Sequence, residues 1–62
     1  MKFSKAKWLA CAEAQRDAGI ITQRELDDAC RIWVNAADGR SREELEAAGD
    51  EMNADWFEEV SA

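Results

Sequence analysis

The chain has 62 residues, a formal net charge of −6, no histidine and no proline; 47% of it is hydrophobic and 35% charged. That length leaves room for one small core and none for a large catalytic pocket, while the apolar content excludes a disordered polymer. Losing histidine removes the commonest general base and metal ligand, and two cysteines are too few for a secreted disulfide scaffold.

The N-terminal stretch carries Lys2, Lys5 and Lys7 ahead of an apolar run from Trp8 to Ala12 that Glu13 ends. The run is too short for a signal peptide or a membrane span, so a cytoplasmic location and no membrane partner are expected. The lysines read as a solvated basic tail, with contact to RNA or an acidic protein as the alternative.

Ser4 is the N-cap candidate for a first helix over residues 5–18. Trp8, Leu9, Cys11, Ala12, Gln15 and Ala18 fall on one side of it at helical spacing, with Glu13 and Asp17 opposite. The stretch Gly19 to Leu26 then holds a stop and a start back to back. Gly19 suits a left-handed C′ position, and Thr22 with Glu25 spells a capping box. Ile21 and Leu26 supply its hydrophobic staple.

A second helix follows over 23–37, with Leu26, Ala29, Cys30, Trp33 and Ala37 as its stripe and Asp27, Asp28, Arg31 and Asn35 on the wet side. Asp38-Gly39 ends it. Ile32 sits off the stripe, facing the third helix or a partner. If residues 5–37 form an antiparallel hairpin turning between Ile20 and Ile21, then Trp8 meets Trp33, Cys11 meets Cys30 and Ala12 meets Ala29. All of these lie on the apolar stripes, so the two patterns support one register.

Ser41 with Glu44 spells a second capping box, opening a third helix over residues 42–60. Leu45, Ala48, Gly49, Met52, Trp56 and Val60 keep one phase along it. On this reading Gly49 lies inside the helix, on its buried face. The expected fold is all-α: a small three-helix bundle in a single domain spanning residues 1–62.

Charge is segregated. Residues 1–40 carry seven bases and six acids, whereas residues 41–62 carry Arg42 against Glu43, Glu44, Glu46, Asp50, Glu51, Asp55, Glu58 and Glu59. In one helix, pairs such as Glu46 with Asp50 and Asp55 with Glu59 would repel at i,i+4, and the late acids would oppose the macrodipole. A sequence shaped only for stability would place lysines there. The surface is therefore read either as a solubilising face or as one that meets a basic partner. The candidate partner-binding residues are Glu46, Asp50, Glu51, Asp55, Phe57, Glu58 and Glu59. Phe57 lies off the stripe among acids, as an exposed interface anchor would or as simple packing near the C-terminus.

No catalytic motif is present. Cys11 and Cys30 have no partnering base and read as buried free thiols, with a disulfide open to them only if the helices come close. Asp27-Asp28 lacks a pocket. Asp38-Gly39 is followed by Arg40 and Arg42, not by calcium ligands, and no glycine-rich phosphate loop occurs. A helix-turn-helix reading of the second and third helices fails, because phosphates would repel an acidic recognition helix. No cofactor and no metal are expected.

In size, in lacking catalytic residues and in the acidic stretch from Glu43 to Glu59, the chain resembles the small acidic inhibitors encoded by bacteriophages, anti-CRISPR proteins among them. The resemblance covers the whole chain but shares no motif, so no functional residue is carried over. It implies a non-enzymatic protein that binds a host nucleoprotein machine and blocks its nucleic-acid site. A structural or regulatory helical module, dimeric through apolar residues such as Ile32 or Phe57, is the alternative.

Overall fold

The computed structural model describes residues 1–49 and 53–59. Most of the chain is helical. Its elements are β1 (Lys2–Phe3), α1 (Lys5–Asp17), α2 (Gln23–Ala29), a π-helical segment (Cys30–Val34), α3 (Asn35–Ala37), α4 (Arg42–Ala47), a 3₁₀ turn (Ala54–Trp56) and β2 (Phe57–Glu58).

The caps and the glycine stop of residues 4–25 form as the sequence predicts. Ser4 adopts an extended backbone and its hydroxyl accepts the Lys7 N–H, capping α1. The Lys5 N–H, also orphaned at the helix start, donates to Asp38 Oδ1 at 3.0 Å. At the other end, the Gly19 N–H donates to the Arg16 carbonyl and the Ile20 N–H to the Gln15 carbonyl. With Gly19 at φ 78°, this is a Schellman motif. Both halves of the Thr22–Glu25 capping box are made, at 3.1 and 3.2 Å.

From Gln23 to Ala37 the backbone stays helical, but between Cys30 and Val34 the hydrogen bonds widen to the π pattern. Val34, which the stripe reading passed over, is completely buried beside it. The rod ends in a type II turn, with Asp38 at φ −56°, ψ 124° and Gly39 at φ 82°, closed by the Arg40 N–H donating to the Ala37 carbonyl.

The third helix departs from expectation. It runs only over Arg42–Ala47 instead of 42–60. Gly49 is not an interior helical residue: it takes φ 93°, and its N–H donates to the Glu46 carbonyl, the same stop that Gly19 provides for α1. Gly49 and Ala48 are exposed, so the glycine does not admit a neighbouring helix. Ending here also avoids the i,i+4 repulsions that a continuous acidic helix would accumulate. Ser41 caps α4 by accepting the Glu44 N–H, but only this half of the expected box forms. Met52 and Val60 lie outside the described residues.

Nor is the N-terminus a solvated tail. Lys2 and Phe3 pair antiparallel with Glu58 and Phe57, making a two-stranded ribbon. On its other edge β1 is held by the Phe3 N–H donating to the Arg40 carbonyl and the Gly39 N–H donating to the Phe3 carbonyl. Phe3 is 1% exposed and sits at the centre of the aromatic cluster. Its ring lies 5.6 Å from Trp33, 5.7 Å from Phe57 and 6.2 Å from Trp56. Trp8 meets Trp33 edge-on at 5.8 Å, as the hairpin register requires. All five aromatic residues of the chain thus share one cluster. Such pairs each add about 0.5–1.5 kcal/mol beyond the area they bury. Leu26, Val34, Ala37 and Leu45 complete the core around them.

Candidate acidic surface

Residues 41–49 and 53–59 bring six carboxylates and one base to the described surface: Glu43, Glu44, Glu46, Asp55, Glu58 and Glu59, with Arg42. All six acids are exposed. They do not share one helix. Glu43 and Glu44 stand in the first turn of α4, where their charge complements the positive end of the short macrodipole. Asp55 is in the 3₁₀ turn, whose start is capped by Asn53 Oδ1 accepting the Asp55 N–H. Glu58 is on β2 and Glu59 follows it. Asp50 and Glu51 lie outside the described residues.

Neutralisation is sparse. Arg42 Nε donates to Glu46 Oε1 at 2.8 Å, and the same guanidinium lies 5.6 Å from the centre of the Phe57 ring. Among the described residues, Glu43, Glu44, Asp55, Glu58 and Glu59 make no ion pair. The fold nevertheless brings bases from the other end of the chain alongside them. Lys2 is the cross-strand partner of Glu58, and Lys7 Nζ donates to the Phe57 carbonyl at 3.1 Å. The separation of charge along the sequence is therefore stronger than the separation in space.

Phe57 is not an exposed anchor. It is 2% exposed, packed edge-on against Phe3 and covered by Arg42. The alternation of β2 explains this: Phe57 points into the core, which leaves Glu58 outside. Ile32, by contrast, is 72% exposed and Ile20 is 69% exposed, so Ile32 makes no buried contact with the third helix. Cys11 and Cys30 are free thiols, half-buried on the facing helices. Among the described residues no three metal-binding side chains gather, and no helix is long and apolar enough to cross a membrane.

Sequence reasoning placed Trp8 and Trp33 in the core but missed an open groove of about 290 Å³ between the hairpin and the 3₁₀ turn. Both indoles line it, together with Trp56 and Glu25. The signal was there in part, since the register that pairs Trp8 with Trp33 also places Gln15 near Leu26 on the same side. Helical phase places Trp56 on the third helix, which ends at Ala47.

Comparison with protein-family models, with curated proteins and with solved structures finds no match for this chain.

Proposed function

We propose that the chain is a non-enzymatic binding protein, an anti-CRISPR-like inhibitor whose carboxylates occupy a basic, nucleic-acid-binding site on a protein or nucleoprotein complex. The observation that carries this reading is the set of five exposed acids without ion-pair partners among the described residues, spread over α4, the 3₁₀ turn, β2 and the residue after it. Unpaired surface carboxylates of one sign raise the rate of encounter with a positive groove and compete there with phosphates. The short elements hold them on an aromatic core, which limits the ordering cost on binding.

The test uses the tagged full chain to capture its partner, followed by competition for that partner's DNA or RNA. Wild type displaces the nucleic acid stoichiometrically and less well as salt rises. The variant carrying Glu43→Lys, Glu44→Lys, Glu58→Lys and Glu59→Lys loses capture while its helical circular dichroism persists. Undiminished capture by that variant rejects the proposal.

A second reading is a helical dimerisation module. The exposure of Ile32 on the π-helical segment favours it, whereas the burial of Phe57 removes that residue from any such interface. Sedimentation velocity separates the two: a dimer that Ile32→Ser dissolves supports the module, and a monomer at all concentrations rejects it.

A further inference from the structure

The groove between the hairpin and the 3₁₀ turn has walls of an unusual kind. Trp33 and Trp56 meet at 47° with centroids 5.7 Å apart, and Trp8 stands at 83° to Trp33, so three indoles line one opening at inclined planes. Leu26 is the buried apolar residue among the lining side chains from α2. Among all the lining residues only Gln15 and Glu25 have polar side-chain oxygens, and none is basic. Glu25 is exposed, and its Oε1 alone serves the capping box by accepting from the Thr22 N–H and hydroxyl. Its Oε2 makes no hydrogen bond among the described residues.

Indole faces carry negative electrostatic potential and attract cations, guanidinium groups above all, because a planar ion can stack on them. A carboxylate at the mouth adds a charge-assisted acceptor. The volume lies near the lower bound of about 300 Å³ for ligand pockets, the scale of a side chain rather than of a cofactor. The geometry points to a socket for a single arginine side chain of a protein partner, its aliphatic stem against Leu26 and its guanidinium stacked on the indoles within reach of Glu25. This deepens the binding role proposed above and rests on it for the basic nature of the partner. The groove supplies the place-specific contact that diffuse surface carboxylates lack.

The experiment titrates the full chain, ¹⁵N-labelled, with the peptide acetyl-Gly-Arg-Gly-amide and with the same peptide carrying neutral citrulline. The three indole N–H resonances report the groove. Saturable shifts of the Trp33 and Trp56 indoles with the arginine peptide alone are expected. Glu25→Gln keeps the capping box, since glutamine serves the same reciprocal bond. It should weaken binding by about two- to fivefold, as loss of an exposed ion pair does. The peptide should also slow alkylation of Cys11, which lines the groove, and not of Cys30, which does not. Equal shifts with citrulline, shifts confined to the amides of Glu43, Glu44, Glu58 and Glu59, or an unchanged affinity in Glu25→Gln would each overturn the socket. The two readings fail separately. The variant with four lysines in place of glutamates tests the acidic surface and should retain the indole shifts, whereas Glu25→Gln leaves the acidic surface whole.

Discussion

The hairpin of residues 5–37 and the segment from Ser41 to Glu59 use the same glycine stop and the same hydroxyl caps, yet they are held in place differently. In the hairpin, the stop at Gly19 and the start at Thr22 are satisfied by residues within five positions, and Trp8 then meets Trp33; only the outer end of α1 reaches further, from the Lys5 N–H to Asp38. In the C-terminal segment the helix is six residues long, too short to persist alone, and the chain is fixed by contacts with residues near position 3. The first region is built from local signals and the second by non-local closure. The acidic surface sits on the second, so its geometry is inherited from Phe3 and Phe57 rather than from helical propensity.

The sharpest way to break this contrast is Phe57→Ala. Removing a fully buried phenyl ring that touches Phe3 costs about 3–5 kcal/mol. Urea denaturation followed by circular dichroism should show a loss of that size or outright unfolding. A loss under about 1 kcal/mol would mean that the C-terminal segment is not part of the core and that the hairpin stands without it.

A test of sign comes next. Gly49→Ala and Gly19→Ala each place a Cβ in a left-handed backbone where no atom lies within 4 Å, so conformation alone sets the cost. Both should destabilise by about 1 kcal/mol. Were Gly49 inside a continuous helix, the same change would stabilise by about that amount. Thermal melts of the two variants side by side decide between the structures: Tm falls in both here, whereas a continuous helix would lower it in Gly19→Ala and raise it in Gly49→Ala.

These two tests also mark where the sequence could and could not be read. Caps announce themselves within four residues, so Ser4, Gly19, Thr22, Glu25 and Ser41 were legible, and with them both helices of the hairpin and the start of the third. Gly49 was ambiguous because a glycine on a stripe in helical phase and a glycine at C′ are the same letter. The ribbon was illegible: strands of two residues have no periodicity to detect, and Phe3 reads as part of a lysine-rich tail until Phe57 is beside it. Phe57 in turn looked exposed only because a helix had been extended through it. The acidic content of the candidate surface was plain in the sequence, but its division among a helix turn, a 3₁₀ turn and a strand follows from that same missed pairing.

The smallest expected effect concerns how the ribbon's outer edge is closed. The Trp56 carbonyl accepts from the Ser4 N–H and so faces β1, which turns the next carbonyl, that of Phe57, to the opposite side. An open strand edge of this kind invites pairing with another chain, and a lysine is a common means of blunting it. Here Lys7 Nζ donates to that carbonyl at 3.1 Å from the first turns of α1, joining the hairpin to the C-terminal strand. Lys7→Met keeps the stem and the helix propensity but removes the donor. It should cost about 0.5–1 kcal/mol in urea denaturation, the net worth of one partly exposed hydrogen bond. It should also leave the Phe57 carbonyl available to a second molecule, seen as a rise in sedimentation coefficient at high protein concentration. A variant as stable as wild type and no more self-associated would show that the Lys7 bond adds nothing to the join made by the ribbon and the aromatic cluster.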